Sequence, residues 1–192
     1  MTFGKAFKAI ASELKWDRHH KRVAYLYEQY PEQYDKPFIG CTDDQIEKIK
    51  TVQQVEVLPR LYNEFLLEMG VWCGDLFLGL DVTYPFLSSY LKDGLNQTLV
   101  TQGQPLLNKS DFVFWSQQSH TYAYFPTSKG DDPPVYVYGE LPLNPSQDEP
   151  FLEGPILYKQ HVSEFLTGFI AERSNKGTQQ QFLMKYATPY RK

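Results

Sequence analysis

The chain has 192 residues, 42% of them hydrophobic and 16% aromatic, with a formal net charge of -4. That share of large apolar groups excludes a disordered chain, and a length of this order buries roughly 70% of the unfolded surface, so stability requires neither a metal nor a disulfide framework. The mild negative charge also lacks the basic excess with which nucleic-acid binders neutralise phosphate.

One main domain is expected from this length. Cys41 and Cys73 are too few for a disulfide scaffold, and neither belongs to a C-x-x-C pair. The opening "MTFGKAFKAIASELKWDRHHKR" carries charge throughout and has no uninterrupted apolar run, so it does not read as a secretory signal. No stretch approaches the ~18 consecutive apolar residues of a membrane span. The expected address is the cytoplasm, with no membrane partner.

Phe3, Phe7, Ile10 and Leu14 recur at helical spacing and predict a first amphipathic helix. Val23, Leu26, Tyr27, Tyr30 and Tyr34 form a second cluster broken by Pro31, so residues 1–40 read as a helical N-terminal extension. The next helix starts at "TDDQIEKIK", capped by Thr42 or Asp43, with Ile46 and Ile49 on its apolar side. Pro59 then opens a helix carrying Tyr62, Phe65, Leu66 and Met69, which Gly70 ends. Residues 71–80 suggest a short strand with turns. "YPFLSSYLKDG" suggests one short helix from Pro85 to a stop at Gly94.

In "DFVFWSQQSHTYAYF" both parities are apolar or aromatic around a polar turn, which predicts central strands buried on both faces. A third run, "PPVYVYGE", follows a short connection and completes an antiparallel meander. Residues 141–155 read as a proline-rich acidic loop. A last helix carries Phe165, Leu166, Phe169 and Ile170 and can be capped by Ser163. The remainder, 173–192, is a polar tail that Phe182, Leu183 and Met184 could dock. Helices and strands without βαβ alternation give an α+β class, with an antiparallel sheet flanked by helices.

Candidates for chemistry are few. Ser119 and His120 are neighbours, so on a strand their side chains diverge, and no G-x-S-x-G surrounds any serine. His19 and His20 beside Asp17 lack helical ligand spacing for a metal. The glycines of "GVWCGDLFLG" lack a phosphate-cradling pattern. The acidic pairs Asp43/Asp44, Asp131/Asp132 and Asp148/Glu149 read as a helix cap and as solvated loops; as partner-facing charge the loop carboxylates Asp131, Asp132, Asp148, Glu149 and Glu153 are the better candidates. No catalytic, cofactor-binding or metal residue is assigned.

Taken in order, "TDDQIEKIKT", "VLPRLYNEFLLEMG", "SDFVFWSQQSHTYAYF", "DDPPVYVYGE" and "VSEFLTGFI" resemble the SUKH superfamily, in its branch related to the fungal cell-wall regulator of the Smi/Knr type. The resemblance rests on Leu58, Pro59, Phe65, Gly70, Trp115, Asp132, Pro133, Pro134 and Val135, with the helices at 42–50 and 163–170, and spans residues 41–170. It implies a SUKH-like domain over 41–172, preceded by the 1–40 extension and followed by the tail. It also implies a non-enzymatic role: bacterial members act as immunity proteins that bind a cognate toxin, often a nuclease or another intercellular effector. Eukaryotic members act as interaction scaffolds or stress and cell-wall regulators, which is the alternative expectation.

Overall fold

The computed structural model describes residues 1–13, 38–74, 76–77, 80–139, 155–171 and 176–191. The first helix, α1 (Phe3–Glu13), buries Phe3, Phe7 and Ala11. Helix α2 (Asp43–Gln53) begins at Thr42, whose hydroxyl accepts from the Gln45 N–H while the Gln45 side chain accepts from the Thr42 N–H. This reciprocal box chooses between the two expected caps. Helix α3 (Arg60–Met69) follows Pro59 and buries Leu61, Tyr62, Phe65, Leu66 and Met69.

Gly70 ends α3 as expected, but for a different reason from the left-handed cap that glycine usually supplies. Its φ is -71°, and a Cβ there would meet the Cys41 sulfur at 2.5 Å and the Leu66 carbonyl oxygen at 2.6 Å. Close approach of the chain at 40–41 is what demands glycine.

Two expectations for the following segment need correction. The described residues of 71–80 contribute only an isolated bridge, Trp72 to Ile39, and no strand of the sheet. "YPFLSSYLKDG" is not one helix: a short α4 (Tyr84–Leu87) is succeeded by α5 (Leu91–Thr101), and Gly94 lies inside α5 rather than at an end. Around Gly94 the Tyr122 hydroxyl is only 3.0 Å from where a Cβ would stand, so the helix crosses the sheet by omitting a side chain.

The sheet has four antiparallel strands in the order β1-β2-β3-β4, with β1 Asp111–Gln117, β2 Thr121–Pro126, β3 Val135–Gly139 and β4 Ile156–Lys159. With helices α6 (Val162–Ala171) and α7 (Lys176–Tyr186) the class is α+β, as the pattern predicts. The fourth strand is the addition. Its side chains are largely exposed on both parities, so no alternation announces it in the sequence.

Strands β1 and β2 are buried on both faces, as expected, although β1 lies at the margin of the sheet. A bulge between Val113 and Trp115 places Phe114 and Trp115 against the same residue, Phe165 of α6. On this face Tyr62 of α3 meets Phe112, Phe114 and Phe125 at centroid distances of 5.5, 5.7 and 5.1 Å, all edge-on, each such pair adding about 0.5–1.5 kcal/mol beyond area burial. Among the described residues, the free margin of β1 is closed without another strand. The Gln53 amide accepts from the Val113 N–H at 3.0 Å and donates to its carbonyl at 2.7 Å, while Asp81 bridges Ser116. A side chain thus substitutes for a neighbouring backbone.

The expected boundary at residue 40 does not separate α1 from the core. Phe7 packs edge-on against Phe65 of α3 at 5.6 Å, and Phe3 against Phe182 of α7 at 5.6 Å. The tail is docked through Phe182 and through the buried Tyr190 of a terminal 3-10 turn (Thr188–Tyr190). Tyr190 donates to Glu64 at 2.6 Å, and the same carboxylate accepts from the Phe3 N–H. The second N-terminal cluster, from Val23 to Tyr34, and the histidine pair lie outside the described residues.

Candidate functional site

Of the five carboxylates expected to face a partner, Asp148, Glu149 and Glu153 lie outside the described residues. The other two have intramolecular work. Pro59, at the start of α3, has no side-chain acceptor, and Asp131 supplies what is missing: its carboxylate accepts from the Arg60 N–H and its carbonyl from the Leu61 N–H, both at 3.3 Å. Asp132 does the same for α6, with one oxygen accepting from the Ser163 N–H at 2.9 Å and the other from the Ser163 hydroxyl at 2.6 Å. The Pro133 carbonyl takes the Val162 N–H at 2.8 Å. Residues 131–133 therefore satisfy the first two free N–H groups of two helices at once.

Asp132 is thereby removed as a partner-facing residue. Its side chain is fully buried, and Arg191 closes the site by donating to it at 3.0 Å. Asp131 remains half exposed and paired loosely with Arg60. The expected capping role of Ser163 is likewise corrected: it stands inside the helix and its N–H receives the cap.

Asp132, Ser163 and His161 bring together the residue types of a hydrolase triad, and their geometry tests that reading. The Ser163 hydroxyl gives its proton to Asp132, not to a histidine, and it is wholly buried. The His161 Nδ1 contacts the Asp132 carbonyl oxygen at 2.9 Å. A triad needs the base between acid and nucleophile, and here the acid occupies that place. The other pair, Ser119 and His120, sits exposed at the β1–β2 turn, where Gln118 and Ser119 both have positive φ (52° and 59°). Neither cysteine is placed for chemistry: both are buried, and burial pushes the Cys41 thiol up to about 12. Among the described residues, no group of three His, Cys, Asp or Glu side chains is placed to hold a metal ion.

An open groove lies instead along the outer face of α5. Two adjoining hollows, of about 520 and 530 Å³, share Asp93, Gln97 and Thr101. The first reaches the hairpin turn through Ser119 and Tyr122; the second ends at Val100 and Leu106, which are 62% and 59% exposed. Lys92, next to Asp93, points into the protein, where its ammonium donates to the Gln53 carbonyl at 2.6 Å and the Lys109 carbonyl at 3.0 Å. Burial lowers its pKa from the usual lysine value.

Sequence reasoning missed this groove, because Gly94, which lines it, reads in the sequence as a helix stop. No described helix is long and apolar enough to cross a membrane. No protein-family model matches the chain, and no curated protein matches it.

Proposed function

We propose that the protein is a cytoplasmic immunity protein that binds a cognate bacterial toxin, such as a nuclease or another intercellular effector, and neutralises it in a one-to-one complex. The observation that carries this reading is the division of polar groups. Those suited to chemistry, Asp132, Ser163, His161 and Lys92, are tied into helix ends and backbone carbonyls. Polar groups with free access line a broad groove on α5, with apolar side chains at one end, a composition that suits a protein surface. Resemblance to the SUKH pattern supports the same role.

The test is co-expression with the toxin domain encoded beside the gene. Full survival of cells that the toxin alone kills, with co-elution at one-to-one stoichiometry, is the expected result. Persistent killing, with both proteins soluble and no complex, would overturn the proposal and leave an interaction scaffold as the better description.

A further inference from the structure

The hydrogen-bond polarity of the α5 groove narrows what it can receive. Three of its hydroxyls have already committed their protons: Tyr90 donates to an Asp81 carboxylate oxygen at 3.0 Å, Thr98 to the Gly94 carbonyl at 3.0 Å, and Thr101 to the Gln97 carbonyl at 2.9 Å. A hydroxyl has one proton and two lone pairs, so each of these now faces the groove as an acceptor. The Asp93 carboxylate, common to both hollows, is exposed and has no ion pair among the described residues. Among the described residues, no lysine, arginine or histidine lines either hollow.

Such a surface accepts more than it donates. Two amides are exceptions, since the Gln102 oxygen is taken by the Tyr138 hydroxyl at 2.8 Å and the Asn96 oxygen by the Leu107 N–H at 3.1 Å, each presenting its amino group, while Gln97, Ser119 and Tyr122 can donate or accept. Gly94 adds to the argument. Glycine inside a helix costs about 1 kcal/mol relative to alanine, and here its missing side chain forms the floor between Asp93 and Tyr122.

From this we infer that the groove is a receptor for a guanidinium or ammonium group, an arginine or lysine side chain presented by the protein partner, with Asp93 as its counter-ion and the spent hydroxyls as further acceptors. This rests on the protein-binding reading and adds to it the chemistry of the partner's anchor. The planar fork of arginine matches a carboxylate flanked by acceptors better than the point charge of lysine.

The experiment needs no toxin. Amide NMR spectra of the intact chain are recorded while N-acetyl-arginine methylamide is added, and again with the citrulline analogue, which has the same shape without the charge. Saturable shifts at Asp93, Gln97, Thr101 and Ser119, with citrulline weaker by on the order of tenfold and the arginine effect lost in Asp93→Asn, are expected. Asp43→Asn, which removes an exposed first-turn carboxylate from another helix, should leave the titration unchanged. Equal shifts with both ligands, shifts confined to other surfaces, or an undiminished response in a folded Asp93→Asn variant would overturn the assignment. A protein that binds arginine here yet fails to protect cells would lose its toxin and keep its site.

Discussion

At the N-terminus of α2 the cap is made by the helix's own neighbour, Thr42, three residues from the Gln45 N–H it accepts. At α6 it comes from Asp132, 31 residues earlier in the chain, and is closed by Arg191 from the far side. The first cap is exposed and the second is buried. Water can replace a lost partner at Thr42, whereas at Asp132 it would have to enter the protein. Capping strength here is set less by the donor and acceptor types than by what else could satisfy them.

Asp132→Ala tests this most severely. It strips acceptors from the Ser163 N–H, the Ser163 hydroxyl and the Arg191 guanidinium together, and should cost about 3–5 kcal/mol, or roughly 6–20 °C in thermal midpoint for a chain of this length. Arg191→Ala alone leaves both bonds from Ser163 to Asp132 in place, and the Arg191 side chain is 25% exposed, so the loss of one hydrogen bond to a charged group, about 1.5–3 kcal/mol, is expected. A double-mutant cycle by thermal denaturation would show the two losses to be strongly non-additive, since either change removes the same contact. Additive losses would mean that Arg191 is held by Glu164 and the Ser163 hydroxyl rather than by Asp132.

What could be read in advance follows the same line between local and remote. The α2 cap was legible because its acceptor, donor and acidic first turn lie within "TDDQ". The burial of β1 and β2 was legible because aromatic residues occupy both parities. Ser163 looked like a cap since serine often is one, and nothing near it in sequence announces that an aspartate across the fold takes that role. Gly94 looked like a stop because glycine usually is; the Tyr122 hydroxyl that makes it necessary belongs to another element. The groove was illegible for a further reason. Whether a threonine offers a proton or a lone pair depends on where its own proton has gone, and only the folded helix decides that.

A smaller effect should follow at the local cap. Thr42→Ala removes one exposed acceptor and weakens the Gln45 return bond, for about 1 kcal/mol. Hydrogen exchange would report the loss in the first turn of α2, leaving the core amides unaffected. Thr42→Ser, which retains the hydroxyl, should recover nearly all of it. A loss as large as that of Asp132→Ala would break the comparison, because it would show that an exposed cap can matter as much as a buried one.

Asp131 sits beside Asp132, and that adjacency makes it the finest probe. It has the same side chain and also caps a helix, but its bonds to α3 are longer, at 3.3 Å, and it is 49% exposed. Its backbone carbonyl, which no side-chain substitution removes, holds the Leu61 N–H. Asp131→Ala should therefore cost no more than about 0.5–1 kcal/mol, and 1 M salt, which screens the exposed Arg60 pair, should reduce that further. The contrast with Asp132→Ala compares a buried carboxylate holding three donors with an exposed one holding a single N–H, at matched residue type and chain neighbourhood. If the two variants melted together, the capping segment would be acting as one rigid unit through Pro133 and Pro134, and the strength of each cap would belong to the loop rather than to its carboxylate.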